Sequence, residues 1–389
     1  MSGQAAIVGV GCTKVGEHWE LSVLELAVEA SLKALDDAGS PPVSAIYVGN
    51  AASEVLNEQG NLAVLLADEL GLRGVKAVEV RAGDASGALA LHQACLEMAA
   101  GSRGPVLAVG VEKLTDVMIQ EVERVQMLFE DARATFHSGI TIPGLCALLT
   151  RLYTQRYGAS YEDLVLFAVN DHRNAANNKY AQYPFPIAVE AVLNSPLVAD
   201  PVRLFDTAGV GDGAAAVLLV RAEEARRFSD APVRVLASEA VAGEACFSSR
   251  EDLLSMSSLR KAATRALKRA GMVIKDVDFF ELHNTTSVVG VLALEELGLA
   301  ERGEGWRLAR EGQIAIGADW PVNTMGGLKG RGHPWGATGL YQAVEATWQL
   351  RGEAGKNQVE GAEVGLTHNM CGLDSLSCVH ILARWEVRT

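Results

Sequence analysis

Long apolar runs are missing from this 389-residue chain, so no transmembrane helix is expected. A basic excess is missing as well: 34 Lys and Arg stand against 48 Asp and Glu, a net charge of −14. Nucleic acid and anionic membrane surfaces both require Lys/Arg-rich faces, so neither is an expected partner. Local basic patches for a phosphorylated ligand stay open. Arg133, Arg151, Lys179 and Arg203 are candidates, each of which reads equally well as a solvated charge. No Cys-x-x-Cys pair occurs among the six cysteines at 12, 95, 146, 246, 371 and 378. They read as reduced thiols rather than a disulfide frame or zinc site. The opening Met1-Ser2-Gly3-Gln4 lacks the basic and apolar regions of a signal peptide, and a cytoplasmic location is expected. His18, His92, His137, His172, His368 and His380 show no metal-ligand spacing, so structural roles and no metal site are expected for them. Glycine is plentiful at 39, but without the Gly-X-Y period of a collagen-like chain.

What the chain does contain is an internal repeat. Residues 30–39 (ASLKALDDAG) and 262–271 (AATRALKRAG) share Ala-Leu-x-x-Ala-Gly. Each reads as a helix stopped by a glycine suited to the left-handed position after the last turn. A short apolar strand follows each, at Ala45–Val48 and Val277–Leu282. Further on, 84–87 (DASG) opens a helix through Met98, and 336–339 (GATG) opens one through Leu350. Small residues at such starts permit close approach of a ligand or of other chain. Closing strands follow at 212–220 and 374–382, each an Asp, small residues, then an aliphatic run.

Strand, helix, strand, helix and strand therefore recur in the same order. The expected class is α/β: two duplicated βαβαβ-type halves in layers. Residues 1–115 plus 201–225 form the first half and 226–389 the second. Roughly 116–200 has no counterpart and reads as an inserted loop domain over one face, the kind of long excursion that serves function or assembly.

The motifs carry a resemblance. Gly332-His333-Pro334-Trp335-Gly336-Ala337-Thr338-Gly339 resembles the GHPxGATG signature of the thiolase superfamily. Asn323-Thr324-Met325-Gly326-Gly327-Leu328-Lys329, Ala6-Ile7-Val8-Gly9-Val10-Gly11 and Gly110-Val111-Glu112-Lys113 also match that family. The similarity spans nearly the whole chain and is nearest the sterol-carrier-type and archaeal acetoacetyl-CoA thiolases. It implies the thiolase fold, a five-layer αβαβα arrangement, and a CoA thioester as substrate. No tightly bound cofactor is implied, coenzyme A being part of the substrate. A homodimer is implied, and a zinc-ribbon/OB-fold partner protein is a further candidate.

Departures from the family pattern are as informative as the matches. Thiolases place a nucleophilic Cys at the start of the buried helix, and the matching position here is Asp84. Cys95 lies three turns along that helix and does not substitute for it. The family's His-Asp-Cys-Phe corresponds to His283-Asn284-Thr285-Thr286, with Thr285 at the Cys. Asn369 stands opposite the acid/base Cys of other thiolases. Cys371 then takes a glycine position whose backbone N–H resembles one arm of an oxyanion hole, with Gly372 beside it. A two-residue shift would instead make Cys371 the acid/base.

By resemblance, His283 and His333 match the family's cradle and base positions. Asn284, Asn369, Cys371, Gly372 and Trp335 are candidate substrate-binding residues. Trp335 either narrows the pocket or only packs. Asp84 reads in two ways: as a base in the site, or as a helix cap whose pKa the helix dipole lowers. Carboxylates are poor nucleophiles toward thioesters. Three functions follow: a C–C bond-making or -breaking CoA-thioester enzyme without an acyl-Cys (aldolase- or retro-aldolase-like), a thiolase acyltransferase using another residue, or a non-catalytic subunit.

Overall fold

The computed structural model describes residues 5–387. Nine strands make one mixed sheet: β1 (Ala5–Cys12), β2 (Ala45–Gly49), β3 (Lys76–Val80), β4 (Val106–Glu112), β5 (Gly213–Arg221), β6 (Val233–Ala242), β7 (Phe279–Glu281), β8 (Val364–Cys371) and β9 (Leu376–Arg384). Their order is β3-β2-β4-β5-β1-β6-β9-β8-β7. The repeat is visible in that order. In the first half β2 pairs parallel with β4, and β4 and β1 each pair antiparallel with β5. In the second half β7 pairs parallel with β8, and β8 and β6 each pair antiparallel with β9. The halves join where Ala5–Ile7 of β1 runs antiparallel to Val233–Val235 of β6. β3 extends the first half at the sheet edge, beside β2.

The helices explain the layers. Helix α1 (Val23–Asp37) starts on a capping box: Ser22 accepts from the Glu25 N–H while Glu25 reaches back to the Ser22 N–H. The chain leaves it through Gly39 at φ 72°, and helix α6 (Ser257–Ala270) ends at Gly271 at the same φ, so both repeat glycines stand where the left-handed stop was expected. α1 packs on β1, β4 and β5 and α6 on β6 and β9, forming the two outer layers. Helices α2 (Ser86–Ala99) and α8 (Thr338–Arg351) form the middle layer and touch each other. Ala90, Leu91 and Ala94 of α2 share one buried cluster with Leu340, Ala343 and Val344 of α8.

The small residues that open α2 and α8 are explained by that contact. A Cβ on Gly87 would lie 2.4 Å from the Gly336 carbonyl oxygen, and one on Gly339 would lie 2.7 Å from the Ala88 nitrogen. The close approach is between the two halves of the chain. Both helices begin two residues later than expected, at Ser86 and Thr338. The second is preceded by a tight turn over Trp335–Ala337. The strand expected over Val277–Leu282 contracts to β7.

Between β4 and β5, adjacent in the sheet, the chain makes the long excursion expected from the sequence. It carries α3 (Ile119–Gln126), α4 (Ile142–Tyr157), α5 (Leu166–Ala175) and a small hairpin over Leu197–Ala199 and Val202–Arg203. Pro143 stands in the first turn of α4, and Thr141 caps it by accepting from the Gly144 N–H. α4 and α5 pack on α7 (Ser287–Glu296) of the second half, which brings the excursion over the loop that carries His283. No helix among the described residues is long and apolar enough to cross a membrane.

Candidate functional site

Four separate elements end at one place. Asp84 precedes α2, His283 follows β7, His333 precedes the turn into α8, and Asn369 and Cys371 lie two apart on β8 and so face the same side. Asp84, His283 and His333 are buried, and ligand-type atoms of all three lie within 4.8 Å of one another. Asp84 Oδ1 is 3.8 Å from His333 Nε2. The two imidazoles meet edge to face, with centroids 5.1 Å apart.

The far nitrogen of each ring is tied down. His333 Nδ1 is 2.8 Å from Thr338 Oγ1, and His283 Nδ1 is 2.9 Å from Asn369 Nδ2. With the Asn369 amide turned this way its NH2 donates, so His283 Nδ1 accepts and the ring proton is assigned to Nε2. Likewise, the Thr338 hydroxyl can donate to His333 Nδ1 and put that proton on Nε2. Asp84 Oδ1, His283 Nε2 and His333 Nε2 are buried with no hydrogen-bond partner among the described residues. A carboxylate and two imidazoles are also a donor set for a divalent metal. A protonated Nε2 has no lone pair to give, so this tautomer suits a hydrogen-bonding cradle.

Asp84 is not a helix cap. The residue before α2 is Ala85, which makes no side-chain cap. Ser86 serves the turn instead: its hydroxyl accepts from the Ala82 N–H and donates to the Gly83 carbonyl. Asp84 turns toward β8, where its Oδ2 accepts a long bond of 3.4 Å from the Gly372 N–H. The expected lowering of its pKa is reversed. Burial pushes the carboxyl from 3.8 up to about 8, against the Gly372 bond, and the negative charge of Glu112 and Glu130 adds to the rise. Desolvation dominates because no Lys or Arg among the described residues pairs with the group. Burial, with Arg331 nearby, takes His333 down to about 3. His283 falls too, through burial first and then the neighbouring His333, His368 and Arg331. At neutral pH all three groups are therefore predominantly uncharged.

The remaining expected residues divide. The Cys371 thiol lies against Gly83, where a Cβ would be 2.6 Å from Sγ, and burial pushes it up to about 12. Asn284 is held inside the protein at both ends of its amide: its Nδ2 donates to Asp171 at 2.5 Å, and its Oδ1 accepts from Asn323 Nδ2 and the Leu328 N–H. It holds the His283 turn against the Asn323–Lys329 segment. Gly327, in that segment at φ 54°, would bring a Cβ 2.4 Å from Asn323 Nδ2, so the Gly-Gly pair serves this packing. Trp335 both packs and lines a cavity: it is buried edge-on against Phe129, centroids 5.6 Å apart. Cys95, eleven residues past Asp84, is about 16 Å along the helix axis and buried.

A cavity of about 440 Å³ opens beside this cluster. His333, Trp335, Thr285, Thr286 and Lys329 line it from the second half, while Ile119, Val122, Ile142, Pro143, Phe205 and other residues of the excursion form the rest. It is the concave, mostly apolar shape that small-molecule sites take. None of Arg133, Arg151, Lys179 and Arg203 is among its lining residues. Arg151 pairs with Asp200, Arg203 donates to the Ser195 carbonyl, and Lys179 lies over the Tyr180 ring.

Sequence reasoning missed several supporting residues. Glu112 is fully buried and accepts from the Ala51, Ala52 and Gly336 N–H groups and from Asn50, tying β4 to the turn before α8. Its neighbours in Gly110-Val111-Glu112-Lys113 marked the position, but its partners come from two distant segments. Asp171 takes the Asn284 and Asn323 amides, and burial raises it to about 8. No local pattern marked it.

Comparison with known proteins places this architecture. The thiolase N-terminal domain family matches residues 5–223, and the thiolase C-terminal domain-like family matches 239–384. The acetyl-CoA acetyltransferase of Methanothermobacter thermautotrophicus is 43% identical over 97% of this chain and 99% of its own. Human sterol carrier protein 2 is 31% identical over 94% of this chain and 69% of its own. Among solved structures, the Ltp2-ChsH2(DUF35) aldolase superposes with a TM-score of 0.86 at 26% identity, covering 99% of both chains. Human mitochondrial 3-ketoacyl-CoA thiolase shares the fold at a TM-score of 0.73 and 18% identity, over 98% of both chains. The duplicated halves, the paired central helices and the family matches across both halves agree: the chain belongs to the thiolase family.

Proposed function

We propose that the chain acts on a CoA thioester and makes or breaks the C–C bond beside it without an acyl-enzyme. The observation that carries this reading is the convergence of Asp84 Oδ1, His283 Nε2 and His333 Nε2, buried and unpartnered, next to an apolar cavity. Two Nε2–H donors are what a thioester oxygen needs as it gains negative charge. A carboxyl group raised to about 8 is a good base near neutral pH.

In the retro-aldol direction, the thioester oxygen of a β-hydroxyacyl-CoA accepts from His283 and His333. Asp84 takes the β-hydroxyl proton. The Cα–Cβ bond breaks, its electron pair moves into the enolate, and an aldehyde or ketone leaves. Asp84 then returns the proton to Cα, releasing the shortened acyl-CoA. Asn369 and Thr338 orient the two imidazoles, and Asn284 anchors the His283 turn. The similarity to an aldolase over nearly the full chain supports the lyase sense. That aldolase is named as a complex with a DUF35 protein, which supports a partner beside this chain; a homodimer belongs to the same reading.

Acyl transfer is the second reading, favoured by the names of the 43% and 39% identical relatives, both acetyl-CoA acetyltransferases. It needs a nucleophile other than Asp84. Cys371 is the thiol nearest in place, but at a pKa of about 12 it supplies little thiolate. The experiment offers β-hydroxyacyl-CoAs and follows aldehyde or ketone release, with intact-protein mass spectrometry after acetyl-CoA treatment. Carbonyl release with no adduct is expected. A stable acyl adduct on a cysteine moves the assignment to acyl transfer. No carbonyl release, with or without a DUF35-type partner, overturns the lyase reading and leaves a non-catalytic subunit.

A further inference from the structure

Lys329 is a cation inside the apolar cavity. It is only 5% exposed and lines the same cavity as His333. Aromatic rings surround its ammonium group, with Nζ 5.1 Å from the Tyr183 centroid and 5.8 Å from that of Phe205. Among the described residues Nζ makes one hydrogen bond, a long one of 3.4 Å to the Leu204 carbonyl. Two buried aspartates, Asp206 and Asp171, lie nearby and favour its charge, but their hydrogen bonds are made to other groups. Asp206 accepts from the Ser287 N–H and the Tyr161 hydroxyl, and Asp171 accepts from Asn284 and Asn323. Among the described residues no carboxylate comes within ion-pair distance of Nζ. Burial lowers its pKa to about 8 even though Asp206 and Asp171 raise it, so an anion in direct contact with Nζ would relieve a desolvation that these two carboxylates only partly offset.

His172 stands on the same wall. Its ring is 6.3 Å from Tyr183 and 6.5 Å from Phe205, the two rings that flank Lys329. Its Nδ1 is 2.9 Å from the Phe185 carbonyl oxygen, which only accepts, so Nδ1 carries the proton and Nε2 a lone pair. That Nε2 is buried and has no partner among the described residues. Burial, with the charge of Lys329 adding, brings this imidazole down to about 4. Burial is the larger part of that lowering; a carboxylate bound between Lys329 and Nε2 would offset the Lys329 charge and itself favour a proton on Nε2, which could then donate.

We propose that Lys329 and His172 form the far end of the acyl pocket, and that the preferred substrates are CoA thioesters whose acyl chain ends in a carboxylate. The inference rests on reading the cavity as the acyl pocket, but not on the C–C chemistry. His333 and Lys329 both line this cavity of about 440 Å³, so the acyl chain of a thioester held at His333 extends into the space that Lys329 faces.

The test is binding, measured by calorimetry on the full chain, with adipyl-CoA, hexanoyl-CoA and ω-hydroxyhexanoyl-CoA. Adipyl-CoA should bind at least about tenfold more tightly than hexanoyl-CoA, with proton uptake that varies with buffer ionisation. In Lys329→Met the adipyl-to-hexanoyl ratio should collapse toward one, while Lys329→Arg should retain a preference for adipyl-CoA. Equal wild-type affinities, or tighter binding of the ω-hydroxy compound, overturns the proposal. So does a Lys329→Met protein that keeps the preference. If Lys329→Met does not fold, the wild-type ranking and Lys329→Arg decide. A carboxylate preference without C–C turnover would leave the subsite standing and refute the lyase reading alone.

Discussion

Replacing Asp84 by Asn should make the protein more stable as the pH rises, while removing its chemistry. The carboxyl titrates near 3.8 in an unfolded chain and at about 8 in the fold, chiefly because burial disfavours its charge. Between those values the folded state holds a proton that the unfolded state has released. Each pH unit across that window therefore costs the wild-type fold about 1.4 kcal/mol. The contribution of Asp84 is fully present below pH 3.8 and is lost as pH climbs toward 8, accumulating on the order of 5 kcal/mol. Asn is nearly isosteric and does not titrate. Other raised carboxyls, such as Glu112 and Glu130, remain in both proteins. Denaturant unfolding from pH 5 to 9 should show the stability difference, variant minus wild type, growing through that window and flattening above about 8. Any constant cost of the new amide among the imidazoles shifts the difference curve without changing its slope. Wild-type kcat/KM for β-hydroxyacyl-CoA cleavage should rise through the same pH region as the base ionises, and the variant should lose about 10²-fold or more. A pH-independent stability difference would refute the assignment of a protonated, desolvated Asp84.

Asn369→Ala removes the amide that orients His283 and sets its tautomer. It should lower kcat by about tenfold or more with a smaller change in KM, at a stability cost of about 1–3 kcal/mol; a change confined to KM would place Asn369 in binding instead. Gly336→Ala puts a Cβ 2.8 Å from Glu112 Oε2 and 2.9 Å from the Ala51 nitrogen. It should destabilise by about 1–3 kcal/mol in thermal unfolding, and a neutral result would show that the Glu112 junction yields easily.

Much of the architecture was legible because it is written locally and twice. Ser22 with Glu25, Gly39 and Gly271, and the aliphatic closing strands act through neighbours a few residues away, so motif and period reveal them. The repeat then implied matching halves, which the order β2-β4-β5-β1 against β7-β8-β9-β6 reproduces. Even so, equal motifs took unequal tasks. Asp212 binds the Leu114 and Thr115 N–H groups after β4, whereas Asp374 binds the Ser258 and Leu259 N–H groups that open α6.

The opening absences of the sequence, with its motifs, were enough to single out Asp84, His283, His333 and the cysteines. They could not say what state those groups are in. Asp84 read either as a base or as a cap with a lowered pKa, and the sequence could not choose because the adjacent helix was the neighbour it revealed. Its burial, and the Gly372 N–H and the Glu112 and Glu130 charges around it, come from segments far along the chain. Asn284 looked free to bind substrate until Asp171 and Asn323 closed on it. Helix and strand formation follow from local sequence. Protonation, tautomer and available hydrogen-bonding capacity depend on desolvation and on charges summed over all nearby atoms, and only the tertiary structure brings those atoms together.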